Sequence, residues 1–208
     1  MHIEVLVEES SAEAALQNLL PKILSNVATF NIHPHQGKPD LLRKLPALLR
    51  GYRNWLPEDW HIVILVDADD DDCLELKAQL EQIAQDAGLV TKSVSSAGQQ
   101  FQVLNRLAMR ELEAWFFWDI EALNAAYPRI SLTLGQRAKY RNPDAITGGT
   151  WEALERLLQR LNYFPEGLPK ITVAREVSRH MDPIRNRSRS FQIFRQGLMD
   201  LIHSSSID

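Results

Sequence analysis

Two apolar runs in this sequence are each followed directly by acidic side chains. Residues 3–7 precede Glu8, and residues 62–66 precede Asp67 and Asp69. Carboxylate oxygens are the hard ligands that Mg²⁺ prefers, and crowded carboxylates without a cation repel one another. If the two runs are neighbouring parallel strands, the sequence predicts a Mg²⁺ (or Mn²⁺) site for phosphate chemistry, held by these three carboxylates.

The two-residue step from Asp67 to Asp69 has a geometric meaning. In extended chain, side chains two residues apart point the same way, so both carboxylates are predicted to face one ion or one ion pair. The alternative is that aspartates before a helix cap its free N–H groups and complement its dipole. Capping is the interpretation we favour for Asp70, Asp71 and Asp72.

The elements that must position these residues alternate between strand and helix up to residue 108. Strands are predicted over residues 2–8, 27–32 and 61–67, and residues 100–108 are predicted as a fourth strand or an extended entry into the next helix. Helices are predicted from Ser10, where Ser10 and Glu13 form a capping-box pattern, and over residues 41–49 and 74–84. This alternation predicts an α/β, Rossmann-like, mainly parallel sheet flanked by helices, which binds ligands at the carboxyl ends of its strands.

After residue 108 the pattern becomes mainly helical. We predict an α/β core over residues 1–108 and an arginine-rich helical extension, packed on that core, over residues 109–208. The predicted helices of the extension cover residues 110–127, 151–161, 171–181 and 188–203. The aromatic run 115–118 could stack nucleic-acid bases, but core packing is the favoured interpretation, and Asp119 is expected to cap the next helix.

The charge is distributed unevenly between the two halves. Residues 1–100 hold 15 acidic and 8 basic side chains, whereas residues 101–208 hold 12 acidic and 15 basic ones, 13 of them arginine. Arginine binds phosphate through a planar fork, so Arg185, Arg187 and Arg189 are predicted phosphate contacts. The alternatives are a partner-protein surface, ion pairs with the acidic half, or a solvated surface.

Composition excludes several classes of protein. Cys73 is the one cysteine in the sequence, which excludes an intramolecular disulfide framework and suits a reducing cytoplasm. The first residues lack a basic leader, and no apolar stretch reaches the ~20 residues needed to span a bilayer. A cytoplasmic protein without a membrane segment is the expectation.

Two segments carry a family resemblance. Residues 6–16 (Leu-Val-Glu-Glu-Ser-Ser-Ala-Glu-Ala-Ala-Leu) and 65–69 (Leu-Val-Asp-Ala-Asp) resemble a Toprim domain, the metal-binding fold of topoisomerases, primases and the overcoming-lysogenization-defect nucleases. The resemblance implies that Glu8, Asp67 and Asp69 are the metal-binding carboxylates. Toprim nucleases use a basic residue beyond the acidic core, which implies Lys170 as a phosphate contact.

A later segment narrows the resemblance. Glu113-Ala-Trp115 is similar to the Glu-x-Trp segment of an uncharacterised bacterial family of stand-alone Toprim-like proteins, which implies Glu113 as a further ligand or general base. The alternative is a helix-surface glutamate paired with Arg106 or Arg110. Members of that family are often encoded near ATPases of bacterial defence systems, which implies an ATPase partner and a defence role.

Three hypotheses for function follow. The first is a magnesium-dependent nuclease that cleaves phosphodiester bonds in nucleic acid. The second is an inactive binding module serving an ATPase partner, favoured by Glu9 where Toprim domains commonly carry glycine. The third is a nucleotide-sugar transferase or phosphatase using Asp-x-Asp, although a phosphatase would usually carry Thr or Val at Asp71 and a transferase would not require Glu8. DNA or RNA as substrate, and monomer or homo-oligomer, are left open.

Overall fold

Four parallel strands form one sheet in the computed structural model, which describes residues 1–95 and 100–204. The strands are β1 (His2–Val7), β2 (Thr29–Pro34), β3 (Trp60–Asp67) and β4 (Val103–Ala108), in the spatial order β2-β1-β3-β4. The helices between them in sequence are α1 (Ser10–Leu24), α2 (Lys38–Trp55) and α3 (Cys73–Asp86). The predicted α/β, Rossmann-like fold is confirmed.

The described chain after β4 is mainly helical, as predicted. Its helices are α4 (Glu113–Phe117), α5 (Ile120–Ala126), α6 (Thr150–Arg160), α7 (Lys170–His180) and α8 (Arg189–Ser204), and three short 3-10 turns lie at Leu134–Gln136, Ala138–Tyr140 and Pro143–Ala145. Among the helices of the described chain, none combines the length and the apolar character needed to cross a membrane.

The sheet separates two apolar layers because side chains alternate between its faces. Val5 and Val63, which pair in register, face the layer that contains α1 and the helices of residues 109–204. Leu6 and Ile64, the next pair, face the layer formed with α2 and α3. The continuous Val/Ile/Leu run of β3 therefore serves both layers, which is what a strand buried on both faces requires.

One predicted helix boundary and one predicted strand boundary are wrong. Helix α1 includes Ser10, and its N-cap is Glu9, whose side chain makes no capping bond. Glu9 instead accepts a hydrogen bond from Ser11 Oγ at 2.6 Å, so the expected capping box between Ser10 and Glu13 does not form. The predicted strand at 27–32 also shifts, since β2 ends at Pro34, which an edge strand tolerates.

The predicted helix 110–127 is interrupted at Asp119. Its carboxylate accepts a hydrogen bond from the Ala122 N–H at 3.2 Å, which confirms Asp119 as the cap of α5. Three of the four aromatic side chains before it are buried, with Trp115 at 0% exposure and Phe117 at 2%, whereas Trp118 is half-buried. This confirms core packing for residues 115–117 rather than a surface for base stacking.

Asp119 also ties the end of α7 to the segment before α8. Its two oxygens accept hydrogen bonds from the Asp182 N–H at 3.0 Å and from Arg185, with Nε at 2.9 Å and a terminal nitrogen at 3.1 Å. The Asp119 side chain is completely buried. A buried carboxylate of this kind stabilises the fold only while its partners are present.

Replacing Asp119 with alanine should lower the free energy of unfolding by about 3 kcal/mol or more, because Arg185 and two buried N–H groups lose their acceptor. Urea unfolding followed by circular dichroism measures the change. Glu121→Ala is the control, since Glu121 is 66% exposed and pairs with Arg185 at 3.2 Å; it should cost less than about 1 kcal/mol. Equal losses in the two variants would contradict this account.

Candidate functional site

The carboxyl ends of β1 and β3 lie side by side, as the sequence predicts. Val7 pairs with Leu65 in register, so the residues that follow the two strands emerge at the same edge. The Glu8 carboxylate accepts a hydrogen bond from the backbone N–H of Asp67 at 2.7 Å. Two acidic residues 59 positions apart in the chain are thereby held together.

Asp67 carries the most strongly perturbed carboxylate of this edge. Its pKa is raised well above the usual value, first by burial and then by the negative charges of Glu113 and Glu8. Within the described chain, no basic side chain forms an ion pair with Asp67. This carboxylate therefore needs a proton or a cation to be stable in the folded state.

Glu113 approaches the same place from the start of α4. It is 2% exposed, which rules out the alternative of a helix-surface glutamate. Burial raises its pKa to about 7, with the charge of Lys170 opposing the rise and those of Glu111 and Glu9 adding to it. The pairing with Arg106 or Arg110 does not form, since Arg110 pairs with Asp70 instead.

Glu8 has a raised pKa for similar reasons. Burial raises it to about 7, and the hydrogen bond from the Asp67 N–H and the charge of Lys38 counteract part of the rise. The charges of Asp69 and Glu9 raise it further. The half-buried Glu8 and Asp67 and the buried Glu113 thus form a group of acids, which we call the acidic edge.

Asp69 does not follow the extended geometry assumed from the sequence. Its φ is 49°, in the left-handed region, and its N–H donates to the Arg110 carbonyl at 2.6 Å. Its side chain is 49% exposed and binds Lys38 Nζ at 2.7 Å. The extended backbone assumed at Asp69 is therefore wrong, because this residue adopts a left-handed conformation.

Two lysines flank the acidic edge. Lys38, the first residue of α2, also binds Asp71 at 2.7 Å, so Asp71 is an ion-pair partner and not a cap. Lys170, the first residue of α7, lies 3.3 Å from Glu9 and 4.9 Å from the centre of the Trp151 ring. Although burial lowers the pKa of Lys170, the carboxylates of Glu113 and Glu9 raise it above its usual value.

The sequence predicts Lys170 near the site, but it does not predict the ion pairs of Lys38 with Asp69 and Asp71. One sequence signal for Lys38 existed: it opens the helix after β2, at the same edge of the sheet as Glu8. The capping interpretation holds for Asp72, which accepts hydrogen bonds from the N–H groups of Leu74 and Glu75 at 2.8 and 3.1 Å. Asp70, which pairs with Arg110, was wrongly predicted as a cap.

The three predicted phosphate-binding arginines differ in availability. Arg185 is held by Asp119 and Glu121, and this neutralisation argues against a phosphate contact. Arg187 and Arg189 are exposed, and neither forms an ion pair within the described chain. Arg187 lies over the ring of Trp118, with 5.9 Å from the guanidinium carbon to the ring centre.

A cleft of about 350 Å³ opens beside Asp69. Glu111 lines it and accepts hydrogen bonds from Thr150 N and Oγ1 and from Trp151 N at 2.7, 2.5 and 2.8 Å, so it caps α6. Gly149 precedes that helix with φ 80°, and a Cβ there would lie 1.7 Å from Glu152 Oε2. That oxygen is the far end of a flexible side chain and can shift, so the positive φ, rather than this contact, is what favours glycine at the position.

The donor atoms of the acidic edge suit a hard cation, but their placement is incomplete. Carboxylate oxygens are the ligand type of Mg²⁺ and Mn²⁺. Within residues 1–95 and 100–204, however, no three His, Cys, Asp or Glu side chains converge closely enough to hold a metal ion. One oxygen of Glu8 is bound by the Asp67 N–H, and Asp69 is bound by Lys38.

Comparison with known proteins assigns the chain to a family but does not indicate an activity. Residues 7–199 match the sequence profile of the family described as Domain of unknown function (DUF4276). No curated protein and no solved structure matched the chain.

The raised pKa values predict how stability depends on pH. Burial raises the pKa of Glu8 and of Glu113 from the usual 4.5 to about 7 in the folded protein. The folded state therefore binds these protons more tightly than the unfolded state, and their contribution to stability is lost as pH rises from about 4.5 to about 7. Urea unfolding in EDTA should give a lower free energy of unfolding at pH 8 than at pH 5.

Glu8→Gln should reduce that difference, because the amide oxygen still accepts the Asp67 N–H but carries no charge. Glu75→Gln, at an exposed position of α3, should leave the difference as it is in the wild type. A Glu8→Gln variant with an unreduced difference between pH 5 and pH 8 would contradict the assignment.

Proposed function

The chain belongs to this family of unknown function, and we propose that it is a Toprim-type, magnesium-dependent nuclease that cleaves phosphodiester bonds. The observation that carries the proposal is the acidic edge: Glu8 and Asp67 meet at adjacent parallel strand ends, and Glu113 is buried beside them. Open α/β sheets bind their ligands at this edge.

The balance of charge supports a cation here. The described residues offer Asp67 and Glu113 no ion pair, and the pKa values of both are raised by burial. Proteins keep buried carboxylates when a proton or a metal ion neutralises them. A divalent cation neutralises several of them at once, and its affinity falls as protons compete for the same oxygens.

Glu8, Asp67 and Glu113 do not converge closely enough in this structure to hold an ion, so they would have to draw together around Mg²⁺ or Mn²⁺, with Asp69 joining them once it leaves Lys38. When bound, such an ion neutralises charge on a phosphate and lowers the pKa of a water molecule. Such an ion would also explain why several acids gather at an edge that, among the described residues, Lys38 and Lys170 approach.

The chain's own basic residues would bind the substrate. Lys170 is fixed against the Trp151 ring beside Glu113, where its ammonium group can bind a phosphate oxygen that the carboxylates would otherwise repel. Arg187 and Arg189, exposed and without ion pairs in the described chain, would contact the nucleic-acid backbone further along. The excess of basic residues over residues 101–208 supports an anionic polymer as substrate.

The wider proposal follows the Toprim resemblance: a cytoplasmic nuclease of a bacterial defence system, working with an ATPase partner. The second candidate, an inactive module serving that ATPase, is favoured by the ion pair of Asp69 with Lys38 and by Glu9 in place of glycine. A transferase or phosphatase that uses Asp67 and Asp69 together is less well supported, because a transferase would not require Glu8 and a phosphatase would usually carry Thr or Val where this chain has Asp71.

Asp67→Asn tests the proposal. The wild type is incubated with plasmid and with short oligonucleotides in MgCl₂ or MnCl₂, and products are separated on gels. We expect metal-dependent cleavage that falls by about a hundredfold or more in the variant, because one charge of the site is lost. Asp70→Asn is the matched control, since Asp70 is 94% exposed, and it should cleave like the wild type.

Cleavage at the wild-type rate by Asp67→Asn would overturn the proposed site. A wild-type protein that cuts none of these substrates but captures an ATPase from the same genomic neighbourhood would instead support the binding module.

A further inference from the structure

Lys38 is held at the acidic edge by the backbone as well as by its side chain. The N–H of Gly37 donates to the carbonyl of Glu8 at 2.8 Å, which fixes the start of α2 against the end of β1. Gly37 has φ 88°, a left-handed conformation that glycine adopts without strain. The loop therefore delivers the next residue, Lys38, to the place where the strands end.

The ammonium group of Lys38 is surrounded by oxygen. Nζ lies 2.7 Å from Asp69 Oδ2, 2.7 Å from Asp71 Oδ2 and 3.4 Å from the carbonyl oxygen of Ala68. The Lys38 side chain is 12% exposed. A cation coordinated by three oxygens and largely removed from solvent occupies the kind of position that a metal ion occupies at a carboxylate site.

This arrangement keeps Asp69 from binding a metal ion at the acidic edge, because the carboxylate is paired with Lys38. The Asp69 side chain binds Lys38, whereas Glu8, Asp67 and Glu113 remain without enough positive charge. The influence of Lys38 extends beyond this ion pair, because its charge also lies close enough to Glu8 to lower the pKa of that carboxyl. The amine of Lys38 thus acts both on the exposed Asp69 and on Glu8 of the acidic edge.

We propose that Lys38 is a built-in counter-ion that competes with the divalent cation for Asp69, so that the cation completes its site only by displacing the amine. This inference rests on the proposed function, because it assumes that a divalent cation binds. Once displaced, Lys38 stays tied to Asp71 and keeps its positive charge at the edge that an anionic substrate would approach. Lys38 is in this account a positioning residue, since it acts through Asp69.

Isothermal titration with MnCl₂ at pH 7.5, in the absence of nucleic acid, tests the competition. Lys38→Met should bind Mn²⁺ about tenfold more tightly than the wild type, because a full positive charge close to the ion is removed. Lys38→Arg, which retains the charge, should bind like the wild type. Lys44→Met is the matched control: it is on the same helix, is 45% exposed and pairs with Asp40 at 2.7 Å, and it should change nothing.

A thermal-unfolding scan gives a second readout. In EDTA, Lys38→Met should melt below the wild type because Asp69 and Asp71 lose their counter-ion, and the rise in melting temperature on adding MnCl₂ should be larger than in the wild type. Lys38→Gln, which keeps a polar side chain of similar reach, replaces Lys38→Met if the latter does not fold.

The outcomes separate this inference from the proposed function. Equal or weaker Mn²⁺ binding by the uncharged variants overturns the inference and leaves the nuclease proposal standing. Mn²⁺ binding by Lys38→Met and none by the wild type supports the competition and overturns metal dependence of the native protein. No Mn²⁺ binding by any variant overturns both.

Discussion

Carboxylates gathered at the end of a parallel sheet, with too little positive charge to neutralise them, are the constraint on which this structure depends. β1 and β3 are adjacent and in register, so Glu8 and Asp67, which follow or end these strands, lie next to each other. The fold partly offsets the repulsion with a backbone hydrogen bond between them and with two lysines, Lys38 and Lys170. The pKa values of Glu8 and Asp67 are still raised, first by burial and then by neighbouring negative charges.

The helical part of the chain completes the site and does not merely cover the sheet. It contributes Glu113 from α4 and Lys170 from α7, and α7 packs directly on α1, which follows Glu8. Lys22 of α1 donates to the carbonyls of Arg179 and Met181 at 2.7 and 2.8 Å, so the two helices are also joined by hydrogen bonds. The acidic edge is therefore assembled from both halves of the chain.

The sequence was informative where local pattern determines structure. Apolar runs ending in acids were enough to predict the strands and the meeting of Glu8 with Asp67, because parallel register places strand ends together. The pattern failed at Asp69 and Lys38, where the outcome depends on contacts between distant segments. The left-handed conformation of Asp69 is accompanied by a hydrogen bond from its N–H to the carbonyl of Arg110, which lies 41 positions later in the sequence. The side chain of Glu9, the N-cap residue of α1, likewise pairs with Lys170 and makes no capping bond, which no spacing rule in α1 predicts.

The central claim is that Glu8 and Asp67 are ligands of one divalent cation. Diffraction from crystals soaked in MnCl₂, recorded near the manganese absorption edge, tests it directly. The account predicts an anomalous peak in contact with carboxylate oxygens of both residues. An acidic edge without a peak in otherwise well-ordered crystals, or a peak bound only by surface acids elsewhere, would contradict it.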